Sequence, residues 1–486
     1  MHFVYDGSLT PEDKARSPFI YLPFDVPSGA LRLNIAYQYS GAMAASDHWG
    51  GNTLDLGLFG PGGTAFGSGD FRGWSGSFRG QITIGRDDAT PAYVPGLPAG
   101  PWNVMLGMYN LSGGGCRYHV EVDVLAEDLP SSAVTERHTA SAPHIAPLPA
   151  QAPAQLGDGP RWYRGDLHCH TLFSDGHSTI RQLADHARSR GLDFLCITDH
   201  NTVSHHDLLP GLAAPGFLPI GGQEITTYFG HANVWGAPRW MEFRCTTPEE
   251  MQKSIDIAHQ LGLLVSVNHP KPDGPPWRFG FDLGFDCMEV WQAPWWVYNF
   301  ESLARWDNLL RQGRRIVAVG GSDLHVVATE TISGPFPLGT PTTWVYADSL
   351  TQAAILAGIR AGHVSVGADS HGPRLELTAE SGPAWAMMGD SMKTAAGEPV
   401  HFHLRVQGGN GLILRLIAST GVVNEVPVER ETATFRFSAA PEALGAGSIP
   451  QPYLRAELIQ PPEADLKTEP SALMLEALTN PVYICE

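Results

Sequence analysis

Gly165-Asp166-Leu167-His168-Cys169-His170-Thr171-Leu172-Phe173-Ser174-Asp175-Gly176 is the stretch on which the reading of this chain turns. The apolar, aromatic lead-in Trp162-Tyr163 predicts a strand. Strand side chains alternate faces with period two, so His168 and His170 point to one side and Cys169 to the other. Asp175 follows after a short turn that Gly176 can close. Two imidazoles on one face with a carboxylate nearby are what a divalent cation needs. A lone His-x-His reads equally well as two surface or core histidines, so the rest of the chain decides.

The chain has 486 residues, enough for roughly three domains with their own cores. Its net charge is −19, from 31 basic and 50 acidic residues. That argues against long nucleic acid or an anionic membrane as partner, since both need clustered Lys and Arg. A small anionic substrate held by metal ions stays compatible, because bound cations invert the local field. The six cysteines are scattered without a C-x-x-C, and they read as buried free thiols in a reducing compartment. No apolar leader segment or membrane-length run is present, so the expected location is the cytoplasm.

Residues 1–133 alternate in short segments such as Leu31–Tyr37 and Tyr118–Val124, separated by Gly-rich turns, and predict an accessory β-sandwich. Residues 134–160 are rich in Ala and Pro and predict a semi-extended linker. From 161 to 378, strands and helices alternate. Ser178 is a candidate N-cap before Ile180, Leu183 and Ala187, with a stop at Gly191. Thr247-Pro248-Glu249-Glu250 has the form of a capping box with Pro at the first helical position. Near-continuous apolar strands such as Phe194–Thr198, Leu263–Val267 and Ile316–Val319 predict parallel strands covered by helices, as a barrel. Residues 379–486 return to alternation and predict a small β-sandwich. A second His-x-His there, His401 and His403, has no carboxylate motif after it and reads as a solvent face.

Within 161–378, ligand-type residues recur at strand ends. His168 and His170 follow the first strand and His200 the second, in Ile197-Thr198-Asp199-His200. Glu224 stands in Gly221-Gly222-Gln223-Glu224, with His231 seven residues on. His269 ends Asn268-His269-Pro270, and Asp323 and His325 lie in Gly321-Ser322-Asp323-Leu324-His325. In a barrel of parallel strands, C-terminal strand ends converge on one mouth.

Taken in order, these motifs resemble the PHP (polymerase and histidinol phosphatase) family of metal-dependent hydrolases. The resemblance implies a distorted (β/α)7 barrel, flanked here by the two β-sandwiches in a multidomain α/β plus all-β chain. The segments Met288-Glu289-Val290-Trp291, Ile332…Gly339-Thr340-Pro341-Thr342-Thr343-Trp344 and Thr479-Asn480-Pro481-Val482-Tyr483 are similar to one branch, the CehA/McbA-type metallohydrolases, named for carbaryl-hydrolysing members. Carried over by position, the family pattern implies three metals. His168, His170, Glu224 and Asp323 would hold one; Glu224, His231 and His269 a second; Asp175, His200 and His325 a third. Six imidazoles with three carboxylates and no thiolate suit two or three divalent transition metals per chain, Zn²⁺, Mn²⁺ or Fe²⁺. A bridging glutamate would hold two metals roughly 3.5–4 Å apart, with activated water as nucleophile.

Asp166 and Asp199 are candidates to orient a ligand imidazole, as metal-bound histidines need. Lys271 and Tyr228 are candidates for contact with substrate or leaving group. Trp291, Trp295, Trp296 and Tyr298 could wall an apolar pocket, which would favour an aromatic leaving group, or pack under a loop. The leading expectation is hydrolysis of a small phosphoester. Hydrolysis of a carboxylic or carbamate ester or amide is the alternative, and a non-catalytic ligand-binding protein a further one. The expected partner is a small-molecule substrate; a homo-oligomer is compatible with the sequence.

Overall fold

A computed structural model describes residues 1–42, 51–126, 158–272, 274–328, 334–394, 398–445, 450–461 and 473–485. The expected linker at 134–160 lies outside the described residues up to 157, and Ile332 lies outside them too. The chain is mixed α/β with much strand, in several sheets. No helix among the described residues is long and apolar enough to cross a membrane.

Two four-stranded antiparallel sheets occupy the N-terminal region. One contains His2–Leu9, Cys116–Leu125, Arg32–Tyr39 and Gln81–Gly85; the other Phe19–Val26, Gly100–Asn110, Thr53–Phe59 and Phe71–Gly76. Their inward residues, among them Leu33, Ile35, Leu54, Leu56, Trp102, Val104 and Val122, form one buried cluster. The period-two burial of His2–Leu9 and of Arg32–Tyr39 is the alternation that the sequence carries.

The central strands belong to one 15-stranded sheet. Its path runs Val317–Gly321, Cys287–Gln292, Leu264–Val267, Gly230–Trp235, Leu218–Thr227, Phe194–Ile197, Asp158–Asp166, Thr342–Ser349 and Val364–Gly367. A parallel bridge between Cys169 and Leu324 joins the segments that follow Asp158–Asp166 and Val317–Gly321. Helices Ile180–Ser189, Pro248–Gln260, Asn299–Arg311 and Gln352–Ala361 connect the strands and bury one face each. The first is capped by Thr179 rather than Ser178, with the Thr179–Gln182 box closing reciprocally. Thr247 caps Pro248–Gln260, but the Glu250 carboxylate accepts from Thr246 instead of the cap residue.

Two expectations differ from the structure. The strands are not uniformly parallel: Gly230–Trp235 runs antiparallel to both neighbours. Leu218–Thr227 and Gly230–Trp235 form a hairpin about Tyr228-Phe229, whose short turn hides in a run that reads as one continuous segment. The C-terminal strands also do not stand apart. Leu475–Thr479 pairs with Val364–Gly367, and Tyr453–Ile459, Ile413–Ala418 and Gly421–Pro427 continue the same sheet. An open strand edge is a template for pairing, and here a later segment of the same chain fills it. A separate four-stranded sheet holds Ala384–Met387, Arg374–Ser381, Val400–Gln407 and Thr432–Ala439. His401 bonds Ser438 and His403 bonds Glu380 on its outer face, as its alternation predicts.

The N-terminal sheets pack directly on the central strands. Phe59, Phe71, Trp74 and Met105 share a buried cluster with Trp235, Phe243, Val265 and Trp291. Arg244 ties the two regions: its guanidinium donates to Glu242, to the Tyr21 hydroxyl and to the carbonyls of Thr64 and Ala65. Both partners of this ion pair are buried, Arg244 at 6% and Glu242 at 2% exposure. Removing one partner of a buried pair leaves an uncompensated charge, so Arg244→Met is expected to destabilise by about 3–5 kcal/mol. An unchanged midpoint in urea unfolding would refute this role.

Candidate metal centre

His168 and His170 follow strand Asp158–Asp166, and their side chains converge although the strand has ended. Backbone bonds from His170 N to Leu324 O and from Asp323 N to His168 O hold both segments edge to edge. Cys169 alternates away, with its thiol on the Cys196 carbonyl and within an apolar cluster. Glycine is required at two close approaches. A Cβ on Gly321 would lie 2.4 Å from the His168 Cβ, and one on Gly176 would lie 2.6 Å from the His170 carbonyl. Asn201, His269 and Asp323 adopt left-handed backbone, with φ of 52°, 28° and 54°. Each is pinned by its own N–H, to Glu224 O, Glu289 Oε2 and His168 O respectively. Such strained positions persist only where surrounding bonds over-determine them.

The structure brings all nine ligand-type residues into one cluster. Asp323 Oδ1 lies 3.2 Å from His168 Nε2 and 2.9 Å from His170 Nε2. Glu224 sits at the centre. Its carboxylate is 3.4 Å from His168, 3.6 Å from His170, 2.7 Å from His200, 3.2 Å from His231 and 3.4 Å from His269. Asp175 Oδ1 lies 3.4 Å from His200 Nε2 and 3.3 Å from His325 Nε2. The hairpin at Tyr228-Phe229 places His231, which is registered opposite Thr226, beside Glu224. Three overlapping groups have donor atoms within 4.8 Å of one another: His170, Asp175, His200 and His325; His168, His170 and Glu224; Glu224, His231 and His269. The cluster opens on the side of Asp175 and His325, whose side chains are 42% and 33% exposed; Glu224 is 1% exposed.

The charges are tightly balanced. Burial presses His168 down, but Asp323, Glu289 and Glu224 outweigh it and carry the imidazole well above its usual value. Burial pushes Glu224 up, and His231, His168 and His200 overcome it to hold the carboxylate well below its usual range. Burial, with His200 and His325 beside it, lowers His170 to about 4. Burial also opposes a charge on His325, yet Asp175 raises it to about 9.

The donor set fits bound cations. His168 Nδ1 faces Glu289 Oε1 at 3.0 Å, which in the neutral ring leaves Nε2 as a lone pair. That atom lies 3.1 Å from His170 Nε2 and is ringed by the Asp323 and Glu224 oxygens. Lone pairs so arranged need a cation or protons among them. Asp175 Oδ1 and His269 Nδ1 are buried without a hydrogen-bond partner.

Glu289, which stands in a segment that carries the branch resemblance, and Gln292 were given no site role by the sequence. Glu289 accepts from His168 on one oxygen and from the His269 N–H on the other; Gln292 Nε2 donates to Asp323. A carboxylate within the apolar strand Cys287–Gln292 was the available signal. Asn268, which donates to Glu224, likewise carries no signal beyond its neighbour His269.

The other sequence candidates are placed as follows. Asp166 accepts the N–H groups of His168, Ser322 and Gly339, so it anchors backbone at the site. Asp199 accepts from Thr171 and from Ser174, whose hydroxyl is 3.5 Å from His170 Nδ1. Lys271 is 3% exposed, with Nζ donating to Gln292 O, Val297 O and Asn299 Oδ1. The Tyr228 hydroxyl donates to Asp55 of the N-terminal sheets at 2.7 Å, and its ring stacks on Phe19. Trp291 and Trp295 are buried against each other, whereas Trp296 and Tyr298 are exposed.

Two predictions come from these contacts. Metal ligands lose roughly 10–100-fold in affinity when the carboxylate behind the imidazole is removed, so Glu289→Gln should weaken metal binding by about that factor in chelator competition. Unaltered affinity would exclude the role. Asp55 is raised to about 7, chiefly by burial, with the Tyr228 bond and His200 opposing. A carboxyl raised in the folded state stabilises while protonated, fully below the unfolded value near 4, and loses that contribution as pH rises through 7. Wild type should therefore lose stability relative to Asp55→Asn between about pH 4 and 7. Parallel stability curves for the two proteins would contradict the shift.

No curated protein matches the sequence. Among solved structures, a two-domain protein containing a predicted PHP-like metal-dependent phosphoesterase from Bacteroides vulgatus is 17% identical, covering 63% of this chain and 94% of its own, with a TM-score of 0.35. A structure from Bifidobacterium adolescentis, given as a metal-dependent phosphoesterase, is 16% identical over 36% of this chain and 91% of its own, with a TM-score of 0.26. An amidohydrolase from Chromobacterium violaceum is 15% identical over 33% and 87%, with a TM-score of 0.24. Residues 166–266, which carry His168, His170, Asp175, His200, Glu224 and His231, match the family model of the PHP domain.

Proposed function

We propose that the chain is a metal-dependent hydrolase of small phosphoesters, built on a distorted (β/α)7 PHP barrel at 161–378 that follows a β-sandwich at 1–133 and whose sheet is continued by strands of the C-terminal region 379–486. The observation that carries this reading is the convergence of His168 Nε2, His170 Nε2, Asp323 Oδ1 and Glu224 on one small volume. The match of residues 166–266 to the PHP domain supports it.

Three cations are the reading the donor groups favour. His168, His170, Glu224 and Asp323 hold one, Glu224, His231 and His269 another, and Asp175, His200 and His325 the third. Bound there, divalent metals supply Lewis-acid charge to the scissile oxygen and acidify water near neutral pH. The chain's own residues do the rest. Glu289 fixes the His168 tautomer, and Ser174 links His170 to Asp199. Gln292 holds Asp323 from behind. The exposed edge at Asp175 and His325 admits substrate, while the buried walls at Glu224 and His168 keep bulk water from competing for the ligands.

A carboxylic or carbamate ester substrate, as in the CehA/McbA-type branch, is favoured by a different observation. Trp296 and Tyr298 stand exposed just beyond the strand that carries Glu289 and Gln292, where an aromatic leaving group could rest.

Elemental analysis of the purified protein should find two to three transition-metal equivalents per chain. His168→Ala or Asp323→Ala should lower turnover by at least about a thousandfold with the fold retained, because such catalysis depends above all on stabilising charge at the reacting centre. A panel of aryl phosphate mono- and diesters, aryl acetates and carbamates separates the two substrate classes: dominant phosphatase activity supports the leading reading, and turnover of acyl substrates alone replaces it with the second. A metal-free protein, or variants with full turnover, would overturn both.

A further inference from the structure

A phosphoester has oxygens that take no part in bond breaking, and a site that binds it uses cationic donors for them. Neither Lys271 nor Arg278, the basic residues that follow His269, is placed to do this. Lys271 has its ammonium on three internal acceptors, and Arg278 is exposed, with its charge facing Lys14 and Tyr109.

A different cation is delivered from the N-terminal sheets. Strands Phe71–Gly76 and Gln81–Gly85 flank a tip, Ser77 to Gly80, that lies against the segment Leu172 to His177, which carries Asp175. Trp74, on the first strand, sets its ring edge-on to His200 at 6.3 Å. Phe78, at the tip, meets the His177 ring at 5.7 Å. Arg79 donates through Nη2 to the carbonyl of Leu172 at 2.5 Å, in the loop between His170 and Asp175. The acidic groups facing it are Tyr93 and Asp199. Asp199, the neighbour of His200, already takes Thr171 and Ser174. Arg79 thus lies against the loop that joins the ligand residues His170 and Asp175. Its Nε is buried and has no hydrogen-bond partner. A buried, unsatisfied guanidinium N–H is costly unless something arrives to accept it.

We propose that Arg79 is the anion-binding residue of this site, supplied by the N-terminal sheets, and that it takes a non-reacting oxygen of a phosphate monoester. This rests on the hydrolase reading above. The bond to Leu172 aligns the guanidinium, and the planar fork leaves further N–H groups for a tetrahedral anion. The N-terminal sheets are then part of the substrate site and set its preference for anionic substrates.

The test uses the full metal-loaded chain, with inorganic phosphate as the probe, by calorimetry and as a competitive inhibitor. Arg79→Gln should weaken phosphate binding by roughly ten- to a hundredfold, since a charge-assisted bond is lost. For an aryl phosphate the loss should appear chiefly in KM, and the KM of a neutral aryl acetate should move far less. Arg79→Lys keeps a charge and one donor for Leu172, and should fall between. If Arg79→Gln does not fold, Arg79→Lys carries the test: phosphate binding weakened about threefold or more supports the proposal, and wild-type affinity overturns it. Wild-type affinity in a folded Arg79→Gln, or no phosphate binding by the wild type, also overturns it. Failure of the hydrolase reading is separate, because it shows as absent metal and absent turnover in the wild type.

Discussion

The confrontation of lone pairs around Glu224 is the constraint on which the rest of the structure depends. Five imidazoles face one carboxylate that is nearly inaccessible to solvent. Such an assembly cannot be stable as a set of neutral acceptors, because buried polar groups without partners cost several times what a hydrogen bond returns. Much of the surrounding architecture serves to hold it. The Cys169–Leu324 bridge brings two ligand segments side by side, Gly321 and Gly176 let backbone approach within a methyl's width, and three residues accept left-handed backbone.

The ligand residues were legible because most stand in or soon after an apolar strand and each is His, Asp or Glu in a short motif. His231 is the instructive case. Its spacing from Glu224 gives no geometric rule, and only the reversal at Tyr228-Phe229 makes them neighbours. The groups behind the ligands were harder to read. Asp166 and Asp199 stand beside ligand motifs, yet they bond backbone and hydroxyls, whereas Glu289, far along the chain, meets His168 directly. Adjacency in sequence is a poor guide to such contacts, because they form across strands.

The α/β alternation and the outer β-regions were visible from periodicity and turn residues. The pairing of strands was not. Parallel and antiparallel neighbours in a fully buried strand carry the same apolar composition, so Gly230–Trp235 could not be oriented from its residues. The contribution of the N-terminal sheets was also invisible. Trp74 and Asp55 sit in ordinary strands and Arg79 in the turn Ser77 to Gly80, and only the tertiary packing shows that they meet His200, Tyr228 and Leu172.

Asn480 has a mechanical part in this arrangement. Its side chain donates to the Ala318 and Val364 carbonyls and accepts from the Ala318 N–H. The segment around it thereby stitches the strand leading to Asp323 to strand Val364–Gly367. The two sides of the seam at Ala318 stand 162 residues apart in sequence. Contacts so distant must close a long loop before they return any energy. The stretch that presents Asp323 and His325 is therefore anchored by chain from the far end of the sequence, and the cage for a cation is complete only when that end is in place.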